Sequence, residues 1–563
     1  DTWGGTLTVS EAGLYFYYFH ITTQDGAFRL FKQGESDTNM EDGSLWQVSV
    51  LEDKFPVPDD CAGAVMYQIF PDRFYQAGTC DLTGKIEPYW VHENKDDVPV
   101  YLPDANGEVL NNDFYGGNLN GIREKLPYLH ALGVEILYLN PIFYAWSTHR
   151  YDTCDYKRID PMLGTEEDFR ELCEKAKEMG ISIILDGVFS HTGADSVYFN
   201  KFGRYGDHTG AYRDRNSPYY PWYSFTGYPD RYESWWGITT LPNVNENNPD
   251  YTNYICGKDG ILQKWIKLGA QGWRLDVADE LPDEFLDNIN KAVKGMGGDK
   301  IVYGEVWEDA SNKESYGVRR RYLIGGQLDS VMNYPFKEAI LNYVKYADAK
   351  AFTDSVMTIL DHYPKPAIDM LMNFLSTHDT ERALTRLAGD DVGWNGKDWQ
   401  AERYMNGQQY MYGISLMKCA MVLQFFLPGI PSVYYGDEAG MEGYRDPFNR
   451  RCYPWGNENL DLIEFTRQLS VVRKGTHAFE QGHMMFIEVD DNVCVFARYD
   501  KITREAAIIY LNKSTRGRTF EIVNDKTDMF YDFVPAFDRY GRGIKDGKVQ
   551  VAPFDYAVVY CKV

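Results

Sequence analysis

Eight short apolar runs alternate with helical stretches through most of this chain, and that alternation constrains its fold more than any other feature. The runs lie at 64–70, 135–142, 181–189, 272–279, 301–307, 327–336, 370–379 and 431–438. Stretches such as 166–180 lie between them and repeat apolar residues at spacings of three and four, as amphipathic helices do. Strand–helix alternation predicts an α/β fold with a parallel sheet, and eight repeats predict a closed (β/α)8 TIM barrel.

The regions on either side of the barrel alternate apolar and polar residues and predict two further β-domains. Residues 1–58 are interpreted as a partial N-terminal β-sandwich of the carbohydrate-binding type, because they are too few for a complete one. The catalytic barrel is predicted over 59–478, with an irregular, aromatic subdomain inserted after the third strand at about 192–250. Residues 479–563 are predicted to form a C-terminal antiparallel β-domain.

The charge of the chain excludes several classes of partner. Its 563 residues include 83 Asp and Glu but 57 Lys and Arg, for a net charge of −26. Such a surface repels phosphate backbones and anionic lipids, and no run is long enough to span a membrane. We therefore expect no nucleic-acid or membrane partner. Aromatic residues make up 15% of the chain and suit the flat faces of sugars, although packing inside β-sheets explains the excess equally well.

Three carboxylates stand at the ends of three predicted strands. Asp276 ends the fourth strand in GWRLDVADE, Glu305 ends the fifth in IVYGEVWED, and Asp379 ends the seventh in LMNFLSTHD. The C-terminal ends of all strands open onto one face of a parallel barrel, so the three acids are expected to meet there. Taken singly, each acid is more often a cap or a loop anchor. Taken together on separate strand ends, they indicate a catalytic site.

Cleavage of a glycosidic bond with retention of configuration needs two carboxyl groups about 5–5.5 Å apart. Neighbouring strands are about 4.8 Å apart, so Asp276 and Glu305 can meet this requirement. We assign Asp276 as the nucleophile, kept ionised and oriented by Arg274 two residues earlier, although that pair could be a plain salt bridge. We assign Glu305 as the general acid, because its apolar sequence neighbours predict a setting that favours the protonated form.

Further polar residues at the same strand ends are predicted to bind the sugar. Asp379 would stabilise the oxocarbenium-like transition state. His378, directly before it, and His191, in the third-strand segment LDGVFSH with Asp186, would hydrogen-bond to hydroxyls of the same ring. A single histidine is more often a structural residue, so these assignments depend on the whole constellation.

Four segments resemble, in order and spacing, the four short regions that define the α-amylase family of glycoside hydrolases. They are DGVFSH (186–191), GWRLDVADE (272–280), GEVW (304–307) and FLSTHD (374–379), and the resemblance extends over nearly all of residues 60–560. It implies an α-glucan hydrolase in which Asp276, Glu305 and Asp379 have the roles given above. It also implies that Tyr151 in HRYDT stacks on the sugar and that Asp186 supports the site from behind.

Within that family the chain is most similar to the neopullulanase, maltogenic amylase and cyclomaltodextrinase group. The similarity lies in YQIFPDRF (67–74), in LPNVN (241–245) and in Glu280, four residues after Asp276. It implies cleavage of α-1,4 and some α-1,6 bonds, together with sugar transfer. Glu280 is then expected to bind substrate, and Trp307 to form a platform on the acceptor side. Trp235 or Trp236 could serve likewise, with core packing an equally good interpretation.

Members of the family often bind a structural calcium ion through Asn and Asp after the first strand and an Asp after a Gly-Gly pair. Here Gln76, Gly78 and Asn118 stand where stronger oxygen ligands are expected. We therefore expect a calcium site that is weak or lost, no other metal site, and no cofactor required for catalysis.

The sequence as a whole predicts a retaining hydrolase of maltodextrins, starch, cyclodextrins or pullulan. An activity dominated by α-1,6 cleavage or by transfer is one alternative, and a non-catalytic glucan-binding module of a larger starch-degrading assembly is another. A homodimer formed through the N-terminal sandwich is a further expectation. Polymeric substrates favour an extracellular or cell-surface location, whereas nine scattered cysteines without CxxC pairs favour the cytoplasm.

Overall fold

The centre of the protein is an eight-stranded parallel sheet. The computed structural model describes residues 5–34, 37–52, 58, 61–530, 533–535 and 545–563. The barrel strands, numbered here one to eight, are Met66–Ile69, Ile136–Leu139, Ser182–Gly187, Gly272–Leu275, Ile301–Gly304, Ser330–Val331, Met372–Asn373 and Ile430–Tyr434. Each coincides with one of the eight runs predicted from the sequence.

The strands pair in sequence order and close on themselves. Strands one to six each lie parallel to the next, and strand eight pairs with both strand seven and strand one. A parallel bridge between Met332 and Met372 joins strands six and seven, and the Asn333 amide donates to the Met372 carbonyl at 2.9 Å. The predicted (β/α)8 barrel is therefore confirmed.

Side-chain alternation along the strands decides which residues enter the barrel. On strand four Gly272 and Arg274 point inward, whereas Trp273 packs outside with the helices. Ile301 and Tyr303 of strand five belong to the apolar cluster that fills the interior. The same alternation carries Asp276 and Glu305 onto the inward face just beyond the strand ends.

Helices cover the outside of the barrel. Glu166–Glu178 lies within the predicted helical stretch 166–180 and begins with a capping box between Thr165 and Asp168. Its buried residues recur at helical spacing, so one face packs on the sheet. The other described α-helices are Pro71–Phe74, Leu119–Ala131, Pro249–Cys256, Ile261–Lys267, Asp283–Lys294, Tyr334–Tyr346, Ala349–His362, Lys365–Asp369, Ala383–Ala388, Lys397–Glu402, Gly407–Phe426, Leu460–Arg473 and Ala478–Gln481.

The chain between strands three and four contains the irregular segment predicted as an inserted subdomain. Its regular elements are the hairpin Phe225–Gly227 with Arg231–Tyr232 and the 3-10 turns Tyr220–Trp222 and Trp235–Gly237. Aromatic rings pack around Phe199 and hold the segment together. A bridge between His191 and Asn243 fixes the segment to the rim of the barrel.

Three further strand pairs lie in loops of the barrel domain. They are Trp90–Val91 with Asp113–Phe114, Phe143–Ala145 with Thr153–Ile159, and Glu314–Ser315 with Val318–Arg319.

Antiparallel strands flank the barrel at both ends of the chain. The N-terminal strands are Gly13–Tyr17, Phe19–Thr23, Gly26–Gln33, Asp37–Asn39 and Trp46–Val50. The C-terminal strands are His483–Val489, Val493–Asp500, Glu505–Asn512, Arg518–Glu521, Phe533–Pro535, Lys548–Val551 and Asp555–Lys562. Parts of the predicted N- and C-terminal domains lie outside the described residues, and the domain boundaries stay predictions. Among the helices that the structure describes, none is long and apolar enough to cross a bilayer.

Candidate active site

One buried guanidinium organises the carboxylates at the strand ends. Arg274 Nη1 donates to Asp186 Oδ1 at 2.7 Å and to Asp276 Oδ1 at 2.9 Å. Its Nη2 lies 2.7 Å from Glu305 Oε2, an ion-pair contact. The three acids come from strands three, four and five, which are neighbours in the sheet. The structure therefore brings Asp276 and Glu305 to the two terminal nitrogens of the same side chain.

The electrostatics of this cluster are dominated by burial. Burial raises the pKa of Asp276 well above its usual range, and the negative charges of Glu305 and Asp186 add to the rise against the opposing charge of Arg274. Burial likewise raises the pKa of Asp186, again opposed by Arg274. Several carboxylates around one guanidinium leave excess negative charge, so the cluster favours holding a proton.

Asp186 supports the cluster, and both of its carboxylate oxygens already accept hydrogen bonds from protein side chains. Its Oδ2 accepts hydrogen bonds from Tyr138 Oη at 2.6 Å and from Tyr151 Oη at 2.9 Å, while Oδ1 is held by Arg274. Because Asp186 is buried and hydrogen-bonded to both side chains, it orients Arg274 and Tyr151.

The setting predicted for Glu305 is wrong in one respect. Its sequence neighbour Val306 is apolar, but Val306 faces the outer core and does not surround the carboxylate. The Glu305 carboxylate instead lies in a polar environment. Its Oε2 accepts from the Val277 amide at 2.8 Å and contacts Arg274, and its Oε1 accepts from Trp307 Nε1 at 2.9 Å.

The backbone directly after Asp276 is strained. Val277 has φ 38° and ψ 70°, a left-handed conformation that a β-branched residue rarely adopts. This conformation directs the Val277 amide at Glu305 and starts the 3-10 turn Ala278–Glu280. Strain of this kind persists where the surrounding structure enforces it, and it is concentrated at functional sites.

The opposite wall carries Asp379, His378 and Tyr151. His378 Nε2 lies 3.1 Å from Asp379 Oδ2 and also contacts the Tyr151 hydroxyl. The rings of Tyr151 and His378 stack with centroids 5.3 Å apart. Burial raises the pKa of Asp379, and it lowers the pKa of His378 well below its usual value. The His378 imidazole is therefore neutral, and Asp379 is the more exposed acid of the cluster.

His191 lies in the same wall, but its ring is already hydrogen-bonded. Its Nε2 lies 3.1 Å from the Tyr151 carbonyl, and its Nδ1 lies 3.1 Å from Ser190 Oγ. Burial lowers its pKa to about 4, so the ring is neutral. Its predicted role as a donor to a sugar hydroxyl stays a prediction and requires one of these bonds to be exchanged.

Two residues of this wall were missed in the sequence. Arg450 donates from Nε to the His378 carbonyl at 2.8 Å, and its Nη2 lies 3.7 Å from Asp379 Oδ1. Asp446 holds Arg450 through an ion pair of 2.8 Å. The signal was the charged segment DPFNRR (446–451) in the loop after strand eight.

Deeper in the barrel, Gln68 Nε2 donates to Asn140 Oδ1 and contacts His378 Nδ1, both at 3.0 Å, which fixes the His378 tautomer.

Two further residues expected to bind substrate, Glu280 and Trp307, lie in loops after strands four and five. Trp307 is 48% exposed, and its ring stacks on Tyr334 with centroids 4.1 Å apart. Because its Nε1 is bonded to Glu305, the ring forms a half-exposed wall beside the predicted acid. Glu280 lies at the end of the 3-10 turn that follows Asp276, and its carboxylate accepts hydrogen bonds from the side chains of Trp236 and Tyr316.

The loop that could hold calcium offers an unsuitable donor set. The Lys95 ammonium donates to Gln76 Oε1 at 3.1 Å and to the Tyr115 carbonyl, so a positive charge already occupies these oxygens. Asn118 Oδ1 accepts from the Ala77 and Gly121 amides and is also engaged. Within the described ranges, no group of three or more His, Cys, Asp or Glu side chains could hold a metal ion. These contacts leave few free oxygens for calcium, and the expectation of a weak or lost site stays a prediction.

A closed parallel barrel with clustered carboxylates at the C-terminal strand ends places the chain among the barrel proteins whose active sites occupy that face. Residues 68–478 match the family model described as the alpha-amylase catalytic domain. The chain belongs to the alpha-amylase family, as the four segments predicted.

Relatives and solved structures agree with this assignment. The chain is 34% identical to an amylopullulanase of Thermoanaerobacterium saccharolyticum, over 95% of this chain and 44% of the relative. It is 33% identical to a cyclomaltodextrinase of Geobacillus thermopakistaniensis, over 83% of this chain and 71% of the relative. A cyclic alpha-maltosyl-(1→6)-maltose hydrolase from Arthrobacter globiformis superposes with a TM-score of 0.72 at 28% identity, over 89% of this chain and 100% of that one. The chain spans less than half the length of the amylopullulanases that it matches.

Proposed function

We propose that this chain is a retaining glycoside hydrolase that cleaves α-1,4-glucosidic bonds of maltodextrins, starch, cyclodextrins or pullulan. The observation that carries the proposal is the contact of one buried guanidinium, Arg274, with both Asp276 and Glu305 on adjacent strands. Two carboxyl groups held on adjacent strands by one guanidinium suit a double displacement, in which one is the nucleophile and the other the acid and base.

In the first step Glu305 gives its proton to the glycosidic oxygen as the bond between that oxygen and C1 breaks. An oxygen of Asp276 forms a bond to C1 and gives a covalent glycosyl intermediate. Arg274 holds Asp276 Oδ1, and Oδ2 takes no hydrogen bond from a described residue. We therefore assign Oδ2 as the attacking atom.

In the second step Glu305 removes a proton from water, and the water oxygen displaces Asp276 from C1. The two inversions restore the original configuration. A sugar hydroxyl that replaces water at this step gives transfer in place of hydrolysis. The half-exposed ring of Trp307 beside Glu305 provides a surface for such an acceptor.

The sugar on the non-reducing side would lie against Tyr151, His378 and Asp379. The face of the Tyr151 ring supports a pyranose ring, and the Asp379 carboxylate accepts from its hydroxyls while charge develops at C1. Asp379 is held by His378 and Arg450 and is therefore oriented before substrate binds.

A second candidate activity is cleavage of α-1,6 bonds. It is favoured by the similarity to a protein named cyclic alpha-maltosyl-(1→6)-maltose hydrolase and to proteins named amylopullulanase. Chromatography of the products from panose and pullulan separates the two bond types, because each bond in these substrates gives a different fragment.

The central test uses Asp276→Asn and Glu305→Gln with maltoheptaose and β-cyclodextrin. Both variants are expected to lose at least a thousandfold in kcat, about 4 kcal/mol, while still binding substrate. Proton NMR of the first products should show the α-anomer. An Asp276→Asn chain that cleaves maltoheptaose at the rate of the parent would refute the assignment, and initial β-anomer would refute retention.

The chain is also proposed to associate as a homodimer through its N-terminal strands. Phe16, Tyr17, Tyr18 and Phe19 are exposed there, which supports an apolar contact surface. Light scattering across a concentration series tests this, and a monomer at micromolar concentration would refute it.

A further inference from the structure

One tryptophan is fully exposed in the loop after strand seven. Trp394 buries none of its side chain, and it makes no hydrogen bond or ring contact with any residue that the structure describes. Isolated exposed rings are common on protein surfaces. This ring differs because it stands on an ordered turn and is followed by a helix that carries further aromatic residues.

The turn that carries Trp394 has a defined conformation. The Asn395 amide donates to the Val392 carbonyl at 2.9 Å and closes the turn. Gly393 has φ 52°, in the left-handed region that glycine adopts without strain. The helix Lys397–Glu402 begins directly afterwards, so the position of Trp394 is set from both sides.

Contacts to Asp390 hold the start of this loop. Its Oδ1 accepts from Gln409 Nε2 at 2.8 Å, and its Oδ2 accepts from Arg403 Nε at 2.6 Å. Its carbonyl accepts from the Tyr444 hydroxyl at 3.0 Å. An ordered loop loses little conformational entropy when a ligand binds, which suits a binding surface.

Further aromatic rings surround the helix Lys397–Glu402. Trp399 packs on Tyr444 with centroids 5.1 Å apart, and Tyr101 packs on Phe448 with centroids 5.2 Å apart. These four rings belong to one small apolar cluster, in which Trp399 and Tyr101 are only partly buried.

A fourth partly exposed ring follows the same helix. Tyr404 is 49% exposed, and the Arg451 guanidinium lies over its ring at 5.1 Å. Arg451 is itself held, because its Nη2 donates to the Ala401 carbonyl at 2.8 Å. We call the following residues the outer aromatic surface: Trp394, Trp399, Tyr101 and Tyr404.

The outer aromatic surface adjoins the wall of the site that carries Asp379. Phe448, which lies in the apolar cluster under the surface, begins the 3-10 turn Phe448–Arg450. Arg450 ends that turn, and its Nη2 lies 3.7 Å from Asp379 Oδ1. The surface is built from the loops after strands one, seven and eight, whereas Glu305 follows strand five across the barrel. It therefore lies on the proposed non-reducing side of the scissile bond.

We propose that the outer aromatic surface binds glucosyl units of a long glucan chain, beyond the unit that Tyr151 and Asp379 contact. The Trp394 ring would contact the apolar face of a pyranose, and the exposed edges of Trp399 and Tyr404 would line the path of the chain. The inference rests on the proposed function and extends it to one class of substrate, the long maltodextrins. Chains too short to reach the surface gain no affinity from it.

The size and charge of the surface favour a glucan over a protein partner. One exposed ring and three partly covered rings offer much less than the surface of about 800 Å² per partner that a stable protein interface buries. Asp391, Asp398 and Glu402 are exposed around these rings. A neutral sugar can donate its hydroxyls to such carboxylates without bringing a charge of its own.

The test compares the parent with Trp394→Ala on maltodextrins of increasing length, from maltotriose to maltodecaose. For maltodecaose kcat/KM is expected to fall about tenfold through KM alone, because a contact far from the bond stabilises ground state and transition state equally. For maltotriose it should not change. Trp394→Phe keeps a ring and should lose about threefold for maltodecaose. Ile502→Ala, at a side chain 94% exposed between two C-terminal strands, is the matched control and should follow the parent at every length.

A Trp394→Ala chain within twofold of the parent at every length would overturn the role of the outer aromatic surface. An equal loss at every length, or a loss in kcat, would also overturn it, because the turn would then act by supporting the wall of the site. Titration calorimetry in an Asp276→Asn background measures the same contact without turnover, and Trp394→Ala should raise the Kd about tenfold for maltodecaose but not for maltotriose. A parent chain that cleaves no maltodextrin would refute the proposed function, and the Kd values would still test the surface on their own.

Discussion

The buried carboxyl of Glu246 makes the stability of this protein depend on pH. Glu246 follows the LPNVN segment and is 9% exposed. Burial raises its pKa from 4.5 to about 8, and the charge of Glu280 adds to the rise. Glu246→Gln keeps the shape and an acceptor oxygen but removes the charge. The variant is therefore expected to be more stable than the parent at pH values above about 4.5, where the unfolded parent chain releases this proton.

The size and sign of the effect follow from the two pKa values. Between pH 4.5 and about 8 the folded chain holds a proton that the unfolded chain has released. The free energy of unfolding therefore falls as the pH rises through this window. A shift from 4.5 to about 8 is worth about 5 kcal/mol at 1.36 kcal/mol per unit. Cooperative unfolding of 563 residues has an entropy of about 1.2 kcal/mol/K, so the difference in Tm is about 4 °C.

The assay is the Tm of the parent and of Glu246→Gln at intervals from pH 4.5 to 9. The variant should gain about 4 °C over the parent at pH 9, and the gain should vanish near pH 4.5. Glu233→Gln is the matched control at an exposed glutamate of the same segment, and it should show no pH-dependent difference. A difference between variant and parent that is constant with pH, or a variant that is less stable at pH 9, would refute the reasoning.

Three further predictions follow from the site. Arg274→Lys should lower kcat/KM for maltoheptaose about a thousandfold, about 4 kcal/mol, because an ammonium cannot hold the carboxylates on two fixed nitrogens. Arg450→Met removes a charge that holds the pKa of Asp379 down, so the acidic limb of the kcat/KM profile should move to higher pH. Excess EDTA or millimolar calcium should leave the Tm unchanged, because the Lys95 ammonium occupies the oxygens of the loop after strand one.

Each of these predictions has a clear contrary result. An Arg274→Lys chain within tenfold of the parent would show that the guanidinium geometry does not govern catalysis. If the acidic limb of the kcat/KM profile stays in place in Arg450→Met, or moves to lower pH, the charge of Arg450 does not hold down the pKa of Asp379. A Tm that rises by several degrees with calcium would show that the ion displaces the Lys95 ammonium from the oxygens of this loop.

The positions of the strands and of the acids could be predicted because they depend on local patterns. Alternation along strands four and five places Arg274, Asp276 and Glu305 on the inward face whatever the rest of the chain does. The closed barrel then brings the strand ends to one rim. These two rules explain why the positions of the carboxylates and their arginine could be predicted from the sequence.

The surroundings of each acid could not be predicted, because they depend on contacts between distant parts of the chain. The setting of Glu305 was inferred from its sequence neighbours, yet its carboxylate meets the amide of Val277, 28 residues away. Arg450 reaches the His378 carbonyl across 72 residues, and no local pattern links the two. The hydrogen bonds that occupy His191 likewise depend on where the Tyr151 loop lies.

Strands six and seven of the barrel are joined by few backbone contacts. Each of these two strands has two residues, and the Met332–Met372 bridge joins them, whereas strands four and five pair over four residues. A seam with so few ladder bonds is where thermal opening of the wall should begin. His378 and Asp379 lie in the loop after strand seven, so opening there would displace them while Asp276 and Glu305 stayed in place. Heat would then abolish turnover at a temperature below that at which the chain unfolds.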